Sequence, residues 1–200
     1  MTYDLFSYKE SLVFQLPNIP YFRIIGIDPG TVNLGICILD IDPYTYQFQD
    51  IKAYTVIARR LPYFDIQTAL IHGETTARIH AYQHYLYQLF QDQHPSVVAC
   101  EEPFYHRLHP GSYKPLVALL THIQQALYQY NPYLPITLMS PLSVKKAVNA
   151  QGNKDKDAVR LGLLHYKPFS LPESFLNVLD EHAVDACAVC AYVYNHILKN

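Results

Sequence analysis

Two hundred residues, half of them hydrophobic, with a formal net charge of −2 at neutral pH, suit one globular domain with a sizeable core. That balance argues against a uniformly basic nucleic-acid binder. Cys37, Cys100, Cys187 and Cys190 sit among apolar neighbours and no signal-like or membrane-length apolar run occurs, so the expectation is a reduced, cytoplasmic chain with no membrane partner.

Residues 1–22 carry Pro17 and Pro20 and show no hydrophobic period, which predicts an N-terminal extension ahead of a domain over residues 23–200. Arg23 to Gly35 reads Arg-Ile-Ile-Gly-Ile-Asp-Pro-Gly-Thr-Val-Asn-Leu-Gly. This is the pattern of a central strand entering a tight turn, with Ile24, Ile25 and Ile27 buried on both faces. Asp28 interrupts the apolar run. A carboxylate there costs on the order of several kcal/mol unless a cation or strong donors compensate it. Gly30 and Gly35 relieve the turn and the next strand, which suits a hairpin whose backbone lies close to a ligand.

Leu34 to Leu39 and Gln49 to Ala58 continue as strands of an antiparallel meander, and Arg59 to Gly73, with Pro62, reads as loop. Glu74 to Gln93 has Ala77, Ala81, Tyr85, Leu86, Leu89 and Phe90 near the 3.6-residue period of a helix lying on a sheet, with Pro95 as its stop. Ser96 to Glu101 is a short buried strand. It ends in Glu101, Glu102 and the breaker Pro103, and strand periodicity permits either acid to face a site.

A helix over Ser112 to Tyr130, a strand over Ile136 to Met139 and a helix from Pro141 to Ala150 follow, then a turn at Gln151 and a helix over Asp155 to His165. Lys167 to Pro172 reads as loop, and Asp180 to Leu198 as the closing helix. Cys187 and Cys190 fall in its Ala/Val-rich stretch with no second pair, so core packing explains them better than zinc or redox chemistry. Strands alternating with helices after an opening meander make an α/β domain with helices on both faces of a mixed sheet. The stretch from Arg107 to Arg160 holds seven basic residues against Asp155 and Asp157. Such a segment can neutralise phosphates in a chain that is acidic overall.

His182 and Asp185 are three apart on the closing helix and share one face with Val189, so both look toward the sheet. Asp180 and Glu181 are explained by the helix dipole. Asp28, Glu101, His182 and Asp185 thus form a set of oxygen and nitrogen ligands from two strand ends and a helix. Carboxylates brought together repel, and a divalent cation relieves the repulsion. Oxygen-rich ligation favours Mg²⁺ or Mn²⁺ over a closed zinc site. Two such ions about 4 Å apart suit phosphodiester hydrolysis.

Four motifs in order carry a family resemblance: Gly26-Ile-Asp-Pro-Gly-Thr31, Glu101-Glu-Pro-Phe104, Ser143-Val-Lys-Lys-Ala-Val148 followed by Lys154-Asp-Lys-Asp-Ala-Val159, and His182-Ala-Val-Asp185. The sequence resembles the RuvC-type Holliday junction resolvases of the RNase H-like superfamily from Arg23 to Asn195. The resemblance implies an RNase H-like mixed five-stranded sheet with helices on both faces, a homodimer, and Mg²⁺-dependent cutting of two symmetric strands in four-way or branched DNA. It implies that Asp28, Glu101, His182 and Asp185 are catalytic and hold two Mg²⁺, for which Mn²⁺ substitutes. The choice of Glu101 over Glu102 comes from its Glu-x-x-Phe spacing. His182 stands where relatives carry Asp or His. Lys145 and Lys156 match lysines near the scissile phosphates, and Phe104 matches an aromatic at the junction centre. Arg107, Lys114, Lys146 and Lys154 complete the expected DNA contacts.

Two features depart from short members of that family: residues 1–22 have no counterpart, and Asp40 to Gly73 is longer. Alternatives are an RNase H-like nuclease acting on structured RNA and a non-catalytic junction-binding protein. An ATP-binding domain of the actin and sugar-kinase type also opens on an Asp-x-Gly-Thr hairpin, but no later glycine here follows an aspartate in a strand context.

Overall fold

The computed structural model describes residues 21–104, 110–150, 157–169 and 171–198. The expected extension, apart from Tyr21 and Phe22, and the turn after Gln151 lie outside them.

Three strands, β1 (Phe22–Asp28), β2 (Asn33–Ile41) and β3 (Phe48–Ile57), form the antiparallel meander. A short helix α1 (Ile66–His72) and a long one, α2 (Glu74–Gln93), lead to β4 (Val97–Glu101). Helix α3 (Pro110–Tyr130) returns the chain to β5 (Ile136–Met139). Then come α4 (Pro141–Ala147), α5 (Ala158–Leu164), α6 (Glu173–Asn177) and α7 (Glu181–Leu198). The sheet order is β3-β2-β1-β4-β5, with β4 parallel to β1 and β5 parallel to β4. The strand bearing Asp28 is therefore the middle one.

Strand alternation sorts the side chains of β1 and β4 between two cores. Ile25, Ile27, Val98 and Cys100 pack with Tyr82, Leu86 and Phe90 of α2 and Leu119 and Ile123 of α3. Ile24, Val97 and Ala99 pack with Val144 of α4, Leu163 of α5 and Ala186, Cys187 and Cys190 of α7. Asp28 and Glu101 have the parity of the second group and sit on the α7 side. An ion pair between Arg23 and Asp40, at 2.7 Å, ties β1 to β2 far from that end.

Helix α7 lies unusually close to the sheet, and two strand glycines permit it. A Cβ on Gly26 would come within 2.7 Å of both the Ala186 carbonyl oxygen and Cys190 Sγ, and one on Gly35 within 2.1 Å of the His182 carbonyl oxygen. Gly35 thus makes room for a helix end rather than for a ligand. Cys187 and Cys190 are free, fully buried thiols, in keeping with core packing.

Two short helices depart from the sequence reading. α1 occupies part of the expected loop: Asp65 caps it by accepting from the amides of Gln67 and Thr68, and Gly73, at φ 90°, ends it. It buries no residue and leaves Ile66, Leu70 and Ile71 exposed, so no inward stripe announced it. α6 is a single turn or so after Pro172. Helices α4 and α5 are shorter than expected. Among the described residues no helix is long and apolar enough to cross a membrane.

Candidate active site

β1 and β4 run parallel with Ile27 opposite Cys100. Asp28 and Glu101 stand one rung further on, neighbours at the carboxyl ends of adjacent strands. Register settles what periodicity left open: Glu101 shares the face of Val97 and Ala99, whereas Glu102 is exposed and its amide donates to the Met139 carbonyl at 2.9 Å.

The helix contribution arrives through the cap of α7. Asp180 accepts from the Ala183 amide at 3.0 Å and also takes the hydroxyl of Thr55 on β3, which anchors the helix start to the sheet. His182 and Asp185 then project over the strand ends. His182 Nδ1 lies 2.9 Å from Asp28 Oδ2. From below, the Tyr82 hydroxyl donates to the Val32 carbonyl at 2.6 Å and holds the turn that follows Asp28.

Burial and mutual repulsion make this an expensive place for negative charge. The Glu101 carboxyl is pushed up to about 8, by burial first, then by the charges of Asp28 and Asp185, with Lys145 opposing. Burial, followed by the charge of Asp28, pushes Asp185 up to about 6, while Lys145 and His182 oppose. His182 is raised above the ordinary imidazole value by its hydrogen bond to Asp28, against burial. Among the described residues no three His, Cys, Asp or Glu side chains are already gathered as a metal cage. The electrostatic coupling of Asp28, Glu101 and Asp185 is what marks them as a set.

No family model matches the chain, and no curated protein matches it. Solved structures do. Thermus thermophilus RuvC in complex with Holliday junction substrate matches with a TM-score of 0.61 at 17% identity, covering 89% of this chain and 96% of that one. The yeast mitochondrial Holliday junction resolvase Ydc2 matches with a TM-score of 0.61 at 16% identity, covering 96% and 87%. Fowlpox virus resolvase with substrate Holliday junction DNA gives 0.51 at 11% identity, covering 88% and 99%. The chain has the Holliday junction resolvase fold.

On that resolvase fold the expected DNA-contacting residues are distributed unevenly. Lys145 is exposed on α4, yet its charge reaches both Glu101 and Asp185. The helix starts at Ser140, whose hydroxyl accepts from the Ser143 amide at 3.2 Å with Pro141 behind it, and this cap sets the direction in which Lys145 and Lys146 leave the surface. Lys146 and, on α3, Lys114 are exposed. Phe104, three residues beyond Glu101, is 52% exposed. Arg107, Lys154 and Lys156 lie outside the described residues.

Arg160, counted with the basic segment, is committed elsewhere: its guanidinium donates to the carbonyls of Leu176 and of Leu179, the latter at 3.0 Å. Sequence reasoning missed Thr55, which stands in no motif, and the packing role of Gly26, which it quoted only as the first residue of one; each acts through a helix that is distant in sequence.

Proposed function

We propose that this protein is a Mg²⁺-dependent endonuclease that recognises branched DNA, the four-way Holliday junction above all, and hydrolyses phosphodiesters symmetrically as a homodimer. The observation that carries this reading is the coupling of Asp28, Glu101 and Asp185 at one end of the central strands, with two of the three pushed toward protonation. Such a donor set fits a divalent cation, because a cation offsets the burial and the repulsion that otherwise protonate it. The fold supports the substrate class of this reading, since two of the matched structures hold Holliday junction DNA.

In this reading Asp28, Glu101 and Asp185 hold the ions, with His182 as the nitrogen donor or as the group that orients Asp28. Bound Mg²⁺ supplies charge neutralisation for the phosphate and activation of the attacking water. Asp28, on the most central strand, is fixed by the β1–β2 register and by the His182 bond. The His182 ring has Nε2 available to ligate or to carry a proton once Nδ1 is engaged. Lys145 draws a phosphate toward the acids and lowers the proton affinity of both Glu101 and Asp185. Phe104 offers an exposed ring for stacking on an unpaired base.

The test compares a four-way DNA junction, the corresponding duplex and a structured RNA, each with Mg²⁺ or chelator, using wild type and Asp28→Asn. Paired cuts in the junction alone, abolished by chelator and by Asp28→Asn, are expected. Cleavage confined to RNA, or junction binding without metal-dependent cutting, would overturn the reading.

A further inference from the structure

A second group of potential ligands lies on the opposite side of the sheet from the acids. His80 and His84 are four apart on α2, hence on one helix face, and both are exposed. The ring of His122, on α3, stands 5.3 Å from that of His80. His72, the last residue of α1, belongs to the same neighbourhood, since His72, His84 and His122 all act electrostatically on His80. These four imidazoles come from three helices and from positions spread over fifty residues.

We propose that His80, His84 and His122 form a binding site for a borderline transition-metal ion of the Zn²⁺ class, with His72 closing the fourth position. Three features favour ligation over mere stacking. The Nδ1 of His122 is 2.9 Å from the Ala118 carbonyl, its own helix four residues back. That bond fixes the tautomer with the proton on Nδ1 and turns the Nε2 lone pair outward, the arrangement by which protein carbonyls prepare a ligating imidazole. Tyr63 stacks on the His84 ring at 5.7 Å and restrains the ring while its edge nitrogens remain accessible. Finally, burial and the three neighbouring imidazoles favour the neutral, ligating form of His80.

The chemistry of the donors selects the ion. Imidazole without carboxylate suits Zn²⁺, Ni²⁺ or Cu²⁺, whereas Mg²⁺ wants oxygen. Among the described residues no three ligands already converge on one point. The i,i+4 backbone spacing puts His80 and His84 within reach of one ion, and the exposed His80 ring can turn about its side-chain bonds at small cost toward the His122 nitrogen. Zinc would also give α1 what it lacks. That helix buries no side chain, and a bond through His72 would pin it to α2 and α3.

The experiment uses the full chain with Mg²⁺ in large excess, so that the acid cluster does not compete for zinc. Calorimetric titration with ZnCl₂ is expected to show one equivalent bound, with zinc-induced shifts of the His80, His84 and His122 ring nitrogens in NMR. His80→Ala and His84→Ala, on an exposed helix face where alanine is well tolerated, should each weaken zinc by about tenfold or more. His122→Ala should do the same, while His165→Ala leaves binding unchanged. Hydrogen exchange over residues 66–72 should slow with zinc in wild type but not in His72→Ala. Zinc binding that is absent, or equally strong in the double variant His80→Ala/His84→Ala, would overturn the proposal. Because Mg²⁺ is saturating and the readout is zinc affinity, failure here leaves the nuclease reading unaffected.

Discussion

His182 Nδ1 bonds Asp28 Oδ2 at 2.9 Å across 154 residues of sequence, and this single contact ties the closing helix to the central strand at its acidic end. The carboxylate raises the imidazole above its usual value. NMR titration of His182 should therefore give a midpoint above the ordinary value of about 6.5. In Asp28→Asn the midpoint should fall, because burial is then opposed only by the charges of Asp180 and Glu181. An unchanged midpoint in the variant would mean that the bond does not form in solution.

The acid cluster gives metal-free stability a definite pH slope. Glu101 and Asp185 ionise near 8 and 6 in the fold, against about 4.3 and 3.9 in an unfolded chain. Both bind protons more tightly when folded, so their contribution is fully present below about pH 4 and is lost as pH rises through the folded values. The raised His182 has the same sign, its share lost as pH rises through its folded midpoint. In chelator, the melting temperature should decline from pH 5 to pH 9, and Glu101→Gln should flatten the upper part of that decline. Mg²⁺ should stabilise more at pH 8 than at pH 5. A flat profile in chelator would remove the case for a charge-strained site.

Gly35→Ala tests the close approach of α7. The new Cβ would meet the His182 carbonyl at 2.1 Å and Asp28 Cβ at 3.1 Å. The first of these is backbone, which cannot swing aside, so the helix start must move. A loss of roughly 1–3 kcal/mol is expected, the usual cost of overpacking, together with weakened Mg²⁺-dependent stabilisation. Wild-type melting and metal response in Gly35→Ala would show that the helix end has slack.

These cases show which parts of the site the sequence could announce. Asp28 was legible because a charge interrupts a run of isoleucines, and His182 with Asp185 because helical spacing puts them on one face. Strand alternation alone could not separate Glu101 from Glu102; the choice came from the Glu-x-x-Phe resemblance, and the register with β1 is what puts Glu101 on the Asp28 face. The mixed sheet followed from the order of strands and helices, and its five-stranded form from the family resemblance. Helix α1 was hidden by Pro62 and by the outward placement of Ile66, Leu70 and Ile71. Arg160 was counted in the basic segment because composition adds up charges without seeing the carbonyls of Leu176 and Leu179 to which its guanidinium donates.

Lys145 is an exposed cation whose charge reaches both Glu101 and Asp185, and in the proposed nuclease it also meets DNA. Lys145→Ala should weaken junction binding alike for all sequences and reduce the salt dependence by about one unit. It should also raise the Glu101 and Asp185 titrations further, because its charge now lowers both. Lys114→Ala, on α3, should change the salt slope without moving those titrations. Identical behaviour of the two variants would reduce Lys145 to an ordinary surface lysine.

The His182 position decides how the site differs from an all-carboxylate one. A neutral imidazole ligates a divalent ion and an imidazolium does not, so activity should fall as pH drops through the raised His182 value, or somewhat lower where metal competes with the proton. His182→Asp removes the nitrogen donor and adds a charge beside Asp28. It should shift the activity profile toward acid and tighten Mg²⁺ more than Mn²⁺, since oxygen favours the harder ion. The same change adds a fourth carboxylate to a cluster already strained by three, so metal-free stability at pH 8 should fall below wild type and recover with Mg²⁺. His182→Ala removes the donor and the bond to Asp28 together, and should lose activity at every pH. Cleavage rates against pH and metal concentration, measured beside melting curves in chelator, distinguish the three proteins. Coinciding profiles would mean that His182 takes no part in the metal site, neither as a donor nor through its bond to Asp28.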